Sequence, residues 1–196
     1  MDEQTWIHKA QNGDEAAFEQ LVTAYEKQVY TMALRMVGNP EDALDVSQEA
    51  FLKAWRGLKG YRSDAKFSTW LYRLATNVAI DFLRREKRQK AVSLTDEEQA
   101  ETAVEDAKAD PFHQISEKME REHIAKALEQ LEPEYRQALV LRAVNGLSYD
   151  EIAQATGAKA GTVKSRIARA REKMRQMLER TGNKTKSSSS KQTERG

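Results

Sequence analysis

Apolar residues recur at helical spacing along nearly the whole of this chain, and no stretch alternates apolar with polar as a half-buried strand does. Only nine glycines and three prolines interrupt 196 residues, so the chain reads as all-α. That length suits one ordinary domain or two small ones, and a 39% hydrophobic content can furnish modest cores but not one large one.

Local chemistry marks the boundaries. Gly13-Asp14 opens a helix with Asp14 as N-cap, and Gly38 closes it. Asn39-Pro40 restarts the chain, with Asn39 as cap and Pro40 at the first helical position. A third helix runs from Phe67 to about Glu86 after the loop GLKGYRSDAK, and Ser68 is expected to cap it. From Ser93 to Asp110 the chain carries seven acids and one lysine with little apolar content, the composition of a linker. Helices resume over 116–131, 133–144, 149–156 and from Ala160 to about Glu179. The expected layout is a helical domain over 1–90, an acidic flexible linker over 91–115, a smaller helix-turn-helix domain over 116–180 and a disordered tail over 181–196.

Composition also excludes. The chain has no cysteine, hence no disulfide, thiolate zinc site or thiol switch of its own. His8, His113 and His123 do not have metal-ligand spacing. No apolar run approaches the length that crosses a bilayer, and the N-terminus MDEQTW lacks the layout of a signal peptide. A soluble, cytoplasmic protein with no cofactor, metal or catalytic residue is expected.

The sharpest local feature is Lys159 to Arg175, KAGTVKSRIARAREKMR, with seven basic side chains and one acid in a chain of net charge only +1. Before it, Ser148 and Glu151 make a capping box and Gly157 supplies a turn, so Ala153, Gly157 and Val163 have helix-turn-helix spacing. On a helical wheel Val163, Ile167, Ala170 and Met174 form a buried stripe. Opposite lie Thr162, Ser165 and Arg169, flanked by Arg166 and Lys173 on one side and Lys164, Arg171 and Arg175 on the other. Edge cations to neutralise phosphates, with small polar groups and an arginine between them for base edges, suit a DNA groove; Lys159 stands at the head of this face. The charges run nearly all one way, without compensating acids one turn along, which argues against a merely solvated face. Repressors and activators carry the same motif, so the kind of DNA-binding protein stays open here.

In PEDALDVSQEAFLKAWRGL, Ala43, Ser47, Ala50, Phe51, Ala54 and Leu58 form a buried stripe with Trp55 at its edge. The far side holds Asp45, Glu49, Leu52 and Arg56, with Gln48 alongside. Leu52, framed by carboxylates and an amide, fits either a protein-docking face or an ordinary exposed leucine. Asp42, Asp45 and Glu49 could also face a divalent cation as in helical pyrophosphohydrolases, but no second acidic pair and no phosphate-handling loop accompanies them. In GYRSDAKFSTWLYRLATNVAIDFLRREKR, Trp70, Leu71, Leu74, Val78 and Phe82 make an inner stripe, with Arg73, Asn77 and Arg84 on a neighbouring polar arc. Together with Tyr61, Arg62, Lys66 and Phe67 of the loop, these residues suit an unpaired strand, while Tyr61, Phe67 and Asn77 serve equally well as structural residues.

DALDVSQEAFLKAW, KFSTWLYRLATNVAIDFLRR and LSYDEIAQATGAKAGTVKSRIARAREKMRQML, in this order and separation, resemble a bacterial sigma factor of the extracytoplasmic-function type, which retains only the second and fourth sigma domains. The resemblance covers about residues 10 to 180. It implies a non-catalytic specificity subunit whose partners are core RNA polymerase and promoter DNA. Asp45, Gln48, Glu49 and Leu52 would meet the clamp helices of the largest polymerase subunit, and the second domain the flap. Tyr61, Arg62, Lys66, Phe67, Arg73, Asn77 and Arg84 would hold the melted minus-ten element; Lys159, Thr162, Lys164, Ser165, Arg166 and Arg169 would read the minus-thirty-five element. It further implies an acidic linker threaded towards the RNA exit path, a protein monomeric when free, and restraint by an anti-sigma factor, often membrane-bound. Leu44 stands where many members carry an acid, and the tail matches nothing in the family. A free-standing helix-turn-helix regulator, binding duplex DNA without polymerase, is the rival reading.

Overall fold

The first three helices each begin where a short polar side chain can satisfy amides that have no intrahelical partner. In the computed structural model, which describes the backbone of residues 2–92 and 111–193 and the side chains of 2–89, 119 and 121–180, Asp2 caps α1 (Glu3–Gln11) and Asp14 caps α2 (Glu15–Val37), accepting from the Ala17 N–H at 3.0 Å. Gly38 ends α2 at φ 87°, a left-handed conformation that only glycine adopts without strain. Asn39 then accepts from the Glu41 and Asp42 N–H groups and starts α3 (Pro40–Gly57), with Pro40 in its first turn. A short 3-10 turn, Leu58–Gly60, leads through the loop to α4 (Phe67–Val92).

The second half contains α5 (Pro111–Glu129), α6 (Pro133–Ala143), α7 (Tyr149–Thr156) and α8 (Ala160–Thr193). Ser148 and Glu151 make the reciprocal capping box, the Glu151 N–H donating to Ser148 Oγ at 3.2 Å and the Ser148 N–H to Glu151 Oε2 at 2.8 Å. Gly157 turns the chain at φ 68°, and α7 packs on α8 in the expected helix-turn-helix.

Four sequence expectations change. Helix α1 was not foreseen. Ser68 lies inside α4 instead of capping it; the Lys66 carbonyl accepts the Trp70 N–H and occupies the capping position. Both domains extend further into the acidic segment than expected, to Val92 and back to Pro111, while residues 93–110 lie outside the described residues. Helix α8 runs to Thr193 where an end near Glu179 and a disordered tail were expected; no proline interrupts that stretch.

One apolar cluster runs through both halves, from Ile7 to Ala170. Leu21, Val29, Met32, Met36, Leu58, Phe67 and Leu71 fill the first domain, and Leu141, Ile152, Val163 and Ile167 the second. The halves also touch each other: α2 packs against α5 and α6, and α4 against α6 and α7. Arg136 is a buried polar element of this seam. It is 5% exposed, and its guanidinium donates to the Met36 carbonyl at the end of α2 and, within its own domain, to the carbonyls of Glu129 and Leu131. Desolvation lowers its pKa, opposed by the charges of Glu129 and Glu86. Gly38 completes the fit, since a Cβ there would run into the Glu129 side chain.

Candidate nucleic-acid interface

Helix α8 presents the face that its periodicity foretells. Val163, Ile167 and Ala170 are at most 2% exposed and Met174 packs against them, whereas Lys159, Thr162, Lys164, Ser165, Arg169 and Arg171 are exposed and Arg166 is half-buried. Among the described residues no acid pairs with Lys159, Lys164, Arg166 or Arg171. Among the described residues Arg169 reaches the Tyr135 hydroxyl, donating to it at 3.5 Å. Positive charge held out by a buried stripe and left without counter-charge is what a phosphate backbone requires.

Compensating acids do exist at the far end, contrary to the sequence expectation. Arg175 Nη2 lies 2.8 Å from Glu172 and Nη1 2.7 Å from Glu179, which raise its pKa further. Lys173 sits 2.7 Å from Glu132 and 5.1 Å from the centre of the Tyr135 ring. Both cations are committed within the protein, so the basic face ends near Arg171.

The loop and α4 divide their candidate residues into two groups. Arg73, Asn77 and Arg84 are exposed along one side of α4, with Arg62 and Lys66 exposed on the loop. Tyr61 and Phe67, by contrast, are core: they are 7% and 2% exposed, meet edge to face at 5.7 Å, and both contact Trp70. Tyr25 adds a fourth ring beside Phe67 at 5.5 Å, its phenol pKa raised by burial and by the hydrogen bond it donates to Glu3. Stacking of Tyr61 or Phe67 on a base is therefore ruled out in this arrangement; the rings anchor the loop instead. The Tyr61 hydroxyl donates to the Ala65 carbonyl at 2.7 Å, and the Gln11 amide donates to the carbonyls of Leu58 and Tyr61 at 3.1 and 2.9 Å. Gln11 escaped the sequence reading because its targets are backbone atoms about fifty positions away.

A cavity of about 160 Å³ opens beside this loop, lined by Gly60, Tyr61, Arg62, Asp64 and Ala65 of the loop, by Thr69, Trp70 and Arg73 of α4 and by Gln154 and Ala155 of α7. The Thr69 hydroxyl is buried there without a hydrogen-bond partner. Two of the loop and α4 cations are engaged across the seam: Lys66 Nζ lies 2.8 Å from Glu151 Oε1, and Arg84 Nη2 lies 3.9 Å from Glu134 Oε1. Glu151 is held at about pKa 2, first by Lys66 and then by the N–H and hydroxyl of Ser148.

Helix α3 exposes Asp45, Gln48 and Leu52, with Leu52 49% exposed and Glu49 half-buried 3.7 Å from Lys53. Gln48 and Leu52 border an open groove of about 500 Å³ whose wall includes Glu15, Phe18 and Val22 of α2. Phe51, expected in the buried stripe, and Trp55, expected at its edge, are half-buried and line the groove too, with Trp55 tilted on Phe18 at 4.9 Å. Since Phe18 and Val22 come from a different helix, one wheel could not reveal them. Leu44 is also bare, 51% exposed. Glu49 turns to Lys53, and no cluster of acids or histidines suited to a metal occurs among the described residues, so nothing here favours the pyrophosphohydrolase alternative.

Comparison with known proteins agrees with both halves. Residues 21–89 match the family Sigma-70 region 2 and residues 121–174 match Sigma-70, region 4. The chain is 38% identical over 177 residues to the ECF RNA polymerase sigma-E factor of Escherichia coli strain K12, covering 88% of this chain and 92% of that protein. It is 37% identical over 181 residues to the RNA polymerase sigma-H factor of Pseudomonas aeruginosa, covering 90% and 94%. Among solved structures, CnrH in complex with the cytosolic domain of CnrY superposes with a TM-score of 0.67 at 25% identity, over 90% of this chain and 97% of that one. Two sigma regions in order, separated by an acidic segment and matched along nearly full-length relatives, place the chain in the extracytoplasmic-function branch of the sigma-70 family, whose members bind core RNA polymerase and direct promoter-specific initiation of transcription.

Proposed function

We propose that the two domains share the promoter as follows. The first, residues 1–90, docks on the clamp helices of the polymerase largest subunit through Asp45, Gln48, Glu49 and Leu52, with Phe18, Val22, Phe51 and Trp55 lining the apolar groove beside them. Arg62, Lys66, Arg73, Asn77 and Arg84 then hold the melted minus-ten strand, on a loop kept in shape by Tyr61, Phe67 and Gln11. In the second, residues 116–180, Lys159 and Lys164 clamp phosphates while Thr162, Ser165, Arg166 and Arg169 read base edges of the minus-thirty-five element. The acidic segment between α4 and α5, whose residues 93–110 lie outside the described ones, is expected to follow the path of the nascent RNA, and the protein supplies no bond-making chemistry of its own. A cytoplasmic location fits work on polymerase, and no helix among the described residues is long and apolar enough to cross a membrane. An anti-sigma factor is the expected restraint: RpoE of Bartonella quintana was solved with the anti-sigma factor NepR.

The observation that carries this reading is the unpaired basic face of α8 behind a correctly capped helix-turn-helix. Promoter binding by the polymerase complex tests it. Leu52→Asp should abolish association with core polymerase and leave duplex binding by α8 intact, and Arg166→Ala with Arg169→Ala should do the reverse. Retention of polymerase by Leu52→Asp would remove the docking assignment.

A further inference from the structure

The residues assigned above to the minus-ten strand are not all open to it. Lys66 and Arg84, two of its four cations, face carboxylates of the second domain, Glu151 on α7 at 2.8 Å and Glu134 on α6 at 3.9 Å. Both acids lie against cations that the reading above gives to the phosphates of the strand. The same α7 contributes Gln154 and Ala155 to the lining of the cavity beside the loop. Arg136 pins the arrangement from behind by donating across the seam to the Met36 carbonyl.

We propose that the second domain is an internal ligand of the minus-ten surface: its α6–α7 edge stands in for the promoter strand, with Glu134 and Glu151 as phosphate mimics, and masks that surface until the domains separate. The proposal rests on the assignment of Lys66 and Arg84 to the strand. Its physical basis is charge complementarity at short range on a surface that carries excess positive charge. Each pair is solvent-exposed on at least one side, with side-chain exposures of 76% and 22% for Lys66 and Glu151 and 61% and 46% for Arg84 and Glu134. Exposed pairs contribute little individually, so the mask is weak enough to be displaced when polymerase and promoter engage both domains together.

The absence of cysteine makes the test simple, because spin labels can be placed uniquely at Gln20→Cys and Arg180→Cys, exposed positions one in each domain. Interdomain distance by pulsed electron resonance is measured beside the affinity for a fluorescent random-sequence single-stranded oligodeoxynucleotide, in the full chain without polymerase. The wild type should give one narrow distance. Glu134→Gln with Glu151→Gln, in which the residue 151 amide oxygen can still serve the cap, should add longer distances and tighten strand binding about three- to tenfold. Glu19→Gln with Glu26→Gln, the same charge change on exposed sites of α2, should change neither. Arg136→Met provides a second opening variant that leaves every proposed DNA contact in place. A broad wild-type distribution, or no lengthening in either variant, would overturn the mask. Lengthening without tighter strand binding would instead overturn the assignment of Lys66 and Arg84 to the strand.

Discussion

Arg136→Met is the substitution on which the described interdomain packing makes its most quantitative demand. Methionine keeps most of the side-chain volume but removes three hydrogen bonds, to the carbonyls of Met36, Glu129 and Leu131. Of these, the Met36 and Leu131 bonds are buried, and a buried carbonyl left without a donor costs about 1–3 kcal/mol. Part is recovered because a desolvated cation, whose Nε has no partner, is also removed. The net loss should be about 2–4 kcal/mol, or about 4–16 °C in Tm for a protein of this size. Urea unfolding followed by two probes gives the sharper readout. All three tryptophans, Trp6, Trp55 and Trp70, lie in the first domain, so fluorescence follows that domain alone while circular dichroism follows both. In the wild type the two transitions should coincide; in Arg136→Met the dichroism should begin to fall at lower urea. Coincident transitions with a loss under about 0.5 kcal/mol would refute the role of Arg136 as the tie between domains.

Other consequences are simpler to check. Gln11→Leu removes both donors to the loop carbonyls, costs about 1–2 kcal/mol, and should weaken melted-strand binding by the polymerase complex while duplex binding through α8 is unchanged. Because Glu151 is held at about pKa 2 against an ordinary 4.5, its stabilisation is complete above the ordinary value and disappears as pH falls towards 2. The stability gap between wild type and Glu151→Gln should therefore shrink over that window, and parallel curves would contradict the Lys66 pair. Arg169→Ala should cost about 1–3 kcal/mol at particular promoter positions, whereas Lys164→Ala should weaken all sequences alike and reduce the salt slope; equal losses everywhere for Arg169→Ala would deny it a base contact.

What could be read from the sequence was whatever is local. Asp14, Asn39, Ser148 and Gly157 act within a few residues of themselves, so the caps and the helix-turn-helix were legible. The faces of α8 followed from periodicity because that helix buries one stripe only. Periodicity gave less for α4, which is covered on two sides: Leu71 and Val78 belong to the expected stripe, while Tyr72, Ala75 and Ile80 are buried as well. Tyr61 and Phe67 show the same limit, since an aromatic beside a basic loop has the same pattern whether it stacks on a base or on Trp70. Arg136 was invisible for the opposite reason: arginine in a short helix reads as surface until the carbonyls it serves, Met36 among them, are brought beside it. The pairing of Glu134 with Arg84 and of Glu151 with Lys66 depends on how two domains meet, which no single-helix pattern encodes.

The central claim is that one chain grips polymerase with α3 and anchors it upstream with α8. Transcription in vitro by core polymerase plus this protein on fragmented genomic DNA, with initiation sites sequenced, tests it most directly. New start sites should appear that share two upstream elements at fixed separation, and Leu52→Asp should erase them. An unchanged set of starts, whatever the affinity of α8 for duplex DNA, would contradict the account.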